Sequence, residues 1–99
     1  MYERATKKVI VDAGHGGSDP GAIGNGLYEK DLNLQAAQYM YKRLQELGIS
    51  ASITRDEDIT LSRQERIDSA FTFGKDPDVI LVSNHINAGG GEFIWHYII

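Results

Sequence analysis

The strongest constraint on this chain is the alternation of short apolar runs with stretches of helical period. Val9-Ile10-Val11 is apolar and stops before Gly14, as a buried strand does. From Lys30 to Leu47, the residues Leu34, Ala37, Tyr41, Leu44 and Leu47 recur at helical spacing, and Gly48 is placed to end the helix. That spacing predicts that these side chains face a sheet while Lys42, Arg43, Gln45 and Glu46 face water. Ala51-Ser52-Ile53-Thr54 reads as a second strand. Ser62 and Glu65 have the spacing of a capping box, and Ile67, Ala70 and Phe71 continue a helical face to a stop at Gly74. Val79-Ile80-Leu81-Val82 is a continuous, largely β-branched run, the pattern of a strand buried on both faces. Phe93 to Ile99 is a further strand candidate.

The order is therefore βαβαβ and then one more strand. Helices between strands call for an α/β fold: a three-layer, mostly parallel sheet with flanking helices and right-handed crossovers. With 99 residues the chain fits one domain at most, spanning residues 1–99 around a thin core. Gly14 to Gly26, rich in glycine and without helical period, reads as a long loop.

In open α/β sheets, sites form outside the carboxyl ends of the strands. His15 and His85 each follow such an end closely, so both are expected in loops, and Glu29 stands where the long helix begins. The chain has no cysteine, so disulfides and thiolate sites are excluded and any metal must sit on His, Asp or Glu. Two imidazoles and a carboxylate form a known zinc ligand set. The bland alternatives are equally concrete. A histidine in a glycine loop is commonly a surface or capping residue, and a glutamate at a helix start commonly complements the macrodipole. Spacing alone does not choose between them. If the histidines bind a metal, Asp12 and Asn84 are the nearest candidates to hold their other ring nitrogens.

Other chemistries fit less well. The strand-end loop would need a glycine at position 19 to match the dinucleotide fingerprint, and that residue is Asp19. Asp12 and Asp19 would repel phosphate, so a cation suits the loop better than an anion. The net charge of −4 and the lack of a basic block give no footing for nucleic acid. The start, Met1 to Lys8, has no apolar stretch of signal-peptide type, and no run approaches the ~18 apolar residues of a membrane span. No membrane partner is expected.

Val9-Ile10-Val11-Asp12-Ala13-Gly14-His15-Gly16-Gly17, Asp19-Pro20-Gly21-Ala22, Glu29-Lys30-Asp31-Leu32-Asn33-Leu34, Thr54-Arg55-Asp56 and Ser83-Asn84-His85-Ile86-Asn87-Ala88 occur in one order along most of the chain. Together they resemble the motifs of the zinc-dependent N-acetylmuramoyl-L-alanine amidases of the amidase-3 family. The resemblance implies that His15, Glu29 and His85 bind one zinc ion. It also implies hydrolysis of the amide between N-acetylmuramic acid and L-alanine, with peptidoglycan as the partner. Action on the cell wall implies a protein that is secreted, released by lysis or phage-encoded.

The family's catalytic glutamate lies downstream of the segment matched here, so the domain is expected to be incomplete at its C-terminus and weak or inactive by itself. Glu92, or His96, is the candidate to substitute as base. The alternative is a non-catalytic zinc- and peptidoglycan-binding module on the same scaffold. The apolar tail Phe93 to Ile99 is expected to mediate self-association.

Overall fold

The computed structural model describes residues 7–74 and 78–86, together with the backbone of 93–98. In chain order its elements are β1 (Lys8–Ala13), β2 (Ile23–Gly24), β3 (Leu27–Tyr28), α1 (Glu29–Glu46), β4 (Ser50–Ile53), α2 (Arg63–Phe73), β5 (Val79–Ile86) and β6 (Phe93–Ile98). The main sheet runs β4-β1-β5-β6. β1 lies at its centre, parallel to both neighbours, with Val11 opposite Ile53 on one side and Val82 on the other. β6 is antiparallel to β5. The mostly parallel α/β order read from the sequence is the one observed.

Strand alternation sorts the faces. Val9, Val11 and Ala13 point to α1, where they meet Ala37, Leu34, Met40, Leu44 and Ile53 in the core. Ile10 and Asp12 point the other way, and Arg66 of α2 reaches Asp12 there. The helices thus cover opposite faces, which gives three layers.

Several local expectations are corrected. Leu47 is 57% exposed, because it is the C-cap and lies past the last helical residue; Met40 packs on the core instead. Lys42, Arg43, Gln45 and Glu46 are exposed as the spacing predicts. The Ser62–Glu65 capping box forms in both directions, but Phe71 is 65% exposed, and Phe73 is half-buried in its stead. The long loop contains a small hairpin. β2 and β3 pair across Asn25 and Gly26, at φ 52° and 75°, as a primed two-residue turn requires. That Asn-Gly pair was visible in the sequence.

The most consequential correction concerns β5. It does not end at Val82 but runs to Ile86, so His85 sits within a strand rather than a loop. Of the Val79–Val82 run only Val79 is fully buried, the rest being half-buried. Among the described residues no helix is long and apolar enough to cross a membrane.

Candidate metal centre

The site is built on the end of β1. Gly14 donates its backbone N–H to the Asn84 carbonyl at 3.1 Å. A Cβ there would stand 2.5 Å from His85 Cε1 and 2.6 Å from that carbonyl oxygen, so only glycine allows the two strands to bring His85 this close. His15 follows with φ 61°, a left-handed conformation that costs a non-glycine residue free energy and persists only where its surroundings enforce it. Two arginines do so. Arg66 donates to the carbonyls of Ala13 at 2.7 Å and His15 at 2.8 Å. Arg55, only 2% exposed, donates to Ala13, Gly14 and Lys30 carbonyls at 2.9–3.0 Å. Burial lowers the Arg55 pKa, and these carbonyls replace the water it has lost.

The bend delivers His15 to Glu29 at the start of α1 and to His85 from β5. One ligand-type atom from each lies within 4.8 Å of the others. His15 Nε2 is 3.3 Å and His85 Nδ1 is 3.4 Å from Glu29 Oε2. The two rings stand edge to face with centroids 5.1 Å apart. Glu29 is 5% exposed. Burial pushes its carboxyl pKa up, but hydrogen bonds outweigh that and leave it lowered. Oε1 accepts from the Ala22 N–H at 2.9 Å, while Oε2 accepts from the Ile86 N–H at 2.9 Å and Asn33 Nδ2 at 3.0 Å. The glutamate is therefore a fixed, ionised carboxylate. The His85 pKa is lowered, first by burial and then by the neighbouring His15. Asp19 is held below its ordinary range, chiefly by its hydrogen bond to His15.

The donor chemistry fits a cation. Asp19 Oδ2 lies 2.8 Å from His15 Nδ1. An ionised carboxylate only accepts, so Nδ1 carries a proton, and Nε2 faces Glu29 Oε2 at 3.3 Å. A positive charge belongs between those two atoms, and either a proton on Nε2 or a bound cation supplies it. Among the described residues, His15, Glu29 and His85 are the group that could hold such a cation.

All three metal-site residues singled out from the sequence thus come together, His85 from a strand rather than a loop. Asp12 accepts from Thr54 at 2.8 Å, Ser83 at 2.6 Å and Arg66, and its charge acts on His85. Asn84 is fully buried, with its side-chain amide unpartnered among the described residues. Glu92 and the side chain of His96 lie outside the described residues. Sequence reasoning missed Asp19, Asn33 and Arg66 as supports. Asn33 stands four residues after Glu29, the spacing that puts two side chains on one helix face, and that signal could have found it.

The profile of the N-acetylmuramoyl-L-alanine amidase family matches residues 9–95. A Bacillus subtilis sporulation-specific N-acetylmuramoyl-L-alanine amidase is 42% identical over 93 residues, covering 92% of this chain and 35% of its own length. An uncharacterised B. subtilis protein, YqiI, is 42% identical over 83 residues, covering 84% of this chain and 39% of its own length. The amidase AmiC2 of Nostoc punctiforme superposes with a TM-score of 0.73 at 36% identity, over 82% of this chain and 44% of that one. This chain therefore spans 35–44% of the length of these relatives. A family profile that matches nearly the whole chain, and relatives that share its fold, give one assignment: the chain belongs to the N-acetylmuramoyl-L-alanine amidase family.

Proposed function

We propose that His15, Glu29 and His85 hold a single zinc ion, and that this centre serves hydrolysis of the amide between N-acetylmuramic acid and L-alanine in peptidoglycan. The observation that carries this reading is the convergence of the three ligand atoms within 4.8 Å, from a loop, a helix start and a strand. Two imidazoles and a carboxylate suit zinc, and three protein ligands leave one position open. When bound, zinc supplies polarisation of the scissile carbonyl and activation of water. The chain's own residues do the positioning. Asp19 keeps the His15 proton on Nδ1, Asn33 and two backbone N–H groups orient Glu29, and Arg55 and Arg66 hold the loop that carries His15.

The cell wall is the place of action under this reading, reached by secretion, by lysis or as a phage product. Named relatives include a sporulation-specific amidase and an endolysin of Bacillus phage SPP1.

A second reading, of residues 1–99 as a non-catalytic zinc- and peptidoglycan-binding module, is favoured by one observation. The described carboxylates lining the cleft beside the triad are Asp12 and Asp19, and both are engaged, by Arg66 and His15. Neither is free to accept a proton from water, and lack of a general base removes ~10²–10⁴ in rate. Glu92 remains the candidate base.

The test pairs metal analysis with an assay for new L-alanine amino termini on purified cell walls. The wild-type protein is expected to carry one zinc and His85→Ala to lose it; full occupancy in that variant would refute the ligand set. Release of L-alanine termini that disappears in Glu92→Gln with zinc retained would make Glu92 the base. Zinc binding without release supports the module.

A further inference from the structure

On the α2 side of the sheet the triad opens into a cleft of about 440 Å³. His15, His85, Arg63 and Arg66 all line it. The other charges of the cleft are answered within it: Arg66 pairs with Asp12, and Asp19 with His15. Arg63 is different. It is exposed and makes no hydrogen bond or ion pair with the described residues.

Its position runs against local electrostatics. Arg63 is the first residue of α2, where the positive end of the helix disfavours a cation. It also lies one turn before Arg66, a like charge on the same helix face. Arg66 in turn reaches the His15 carbonyl at 2.8 Å, so the neighbouring turn of α2 borders the candidate metal ligands. A guanidinium kept here, with no partner among the described residues and beside two candidate ligands, is suited to an anionic group on whatever enters the cleft.

We propose that Arg63 is a specificity residue that binds a carboxylate on the peptide part of the substrate. The inference rests on the amidase reading above, under which the peptide attached to the scissile bond lies against the triad. A glutamate that follows L-alanine in such a peptide and is joined through its side chain would present its α-carboxyl group free as the acid or blocked as the amide. A planar guanidinium pairs with the carboxylate through two charge-assisted hydrogen bonds, and the amide offers one neutral acceptor. The cleft therefore selects the acid form.

The experiment titrates the zinc-loaded 99-residue protein with N-acetylmuramoyl-L-alanyl-γ-D-glutamyl-L-lysine and with its D-isoglutaminyl counterpart, which differ only in whether the α-carboxyl of the second residue is acid or amide. The wild type is expected to bind the acid about tenfold more tightly, the scale of one charge-assisted pair in a half-open cleft. Arg63→Gln should weaken the acid to the level of the amide while leaving zinc content unchanged. Arg63→Lys should keep part of the preference. The preference should shrink as salt is raised. Equal binding of both probes by the wild type, or a preference that survives in Arg63→Gln, would overturn the proposal and leave the amidase reading standing. Failure of both probes to bind would overturn the amidase reading and this proposal with it.

Discussion

Asn33 joins the two halves of the candidate metal centre. Its Nδ2 donates to Glu29 Oε2 at 3.0 Å and to the Gly14 carbonyl at 3.1 Å, tying the ligand on α1 to the turn that presents His15. The side chain is fully buried, so water cannot replace those bonds. Asn33→Leu keeps the volume and removes the donor. Zinc affinity, measured by competition with a chelator, should fall ~10–100-fold, as for other partners that orient a ligand. Unchanged affinity would mean that the backbone N–H groups suffice. Acid should also undo the metal-free site. The His85 pKa is lowered from 6.5, so below that value the unfolded chain takes up a proton that the fold resists. The Glu29 pKa is lowered from 4.5, so its contribution is present above that value and lost as pH falls through the folded one. In both cases the unfolded state binds more protons, and stability rises with pH. Denaturant midpoints of the metal-free protein should therefore fall from about pH 6.5 downward, and His85→Gln should flatten the upper part of that decline while keeping the lower. A wild-type midpoint constant between neutral pH and the carboxylate range would contradict the burial of His85. At this scale the candidate ligands were legible because only His and acidic residues were available and two histidines followed apolar runs. Asp19 was not legible as a partner, because its contact depends on the left-handed turn at His15, which no residue type announces.

The elements show where periodicity stops being informative. Ala37 and Leu44 lie on the inner face of α1 and pack at the core, as their spacing predicts. Leu47 has the same spacing, yet Leu47 N–H bonds the Arg43 carbonyl as the cap, and its side chain sits in water. Pattern marks a face but not the turn at which the helix leaves the sheet. The two leucines should separate cleanly in urea unfolding. Leu44→Ala, half-buried against β1, should cost ~1–3 kcal/mol, the lower part of the range for core truncations. Leu47→Ala should change stability by less than ~0.5 kcal/mol, as exposed sites do. Similar losses for both would put Leu47 back on the core. β5 failed in the opposite direction. Ser83 and Asn84 are polar and seemed to end the apolar run, but Ser83 bonds Asp12 and the Asn84 carbonyl accepts from Gly14, so the strand continues by serving its neighbours. Polar residues inside a strand are invisible to a hydrophobic pattern when their partners come from distant parts of the chain.

Among the described residues the main sheet has two edges, β4 and β6, and they are unequal. β4 has four residues and β6 has six. One side of β6 bonds β5 in a register from Ile86 opposite Phe93 to Leu81 opposite Ile98. The other side faces no strand among the described residues, so it presents a row of backbone donors and acceptors of the kind that pairs with other chains. The sequence Phe-Ile-Trp-His-Tyr-Ile contains no Lys, Glu, Asp or Pro, the residues that commonly blunt such edges. The polypeptide of residues 1–99 is therefore expected to self-associate edge to edge, with a sedimentation coefficient that rises with concentration. Successive N–H groups in a strand point to opposite sides, so Ile94→Pro and Trp95→Pro should act differently. The proline whose missing N–H faced β5 should damage the sheet and weaken zinc binding. The proline whose missing N–H faced outward should leave zinc binding intact and abolish association. A clean monomer at high concentration, or association that persists in the variant that still binds zinc, would show that β6 is not the contact.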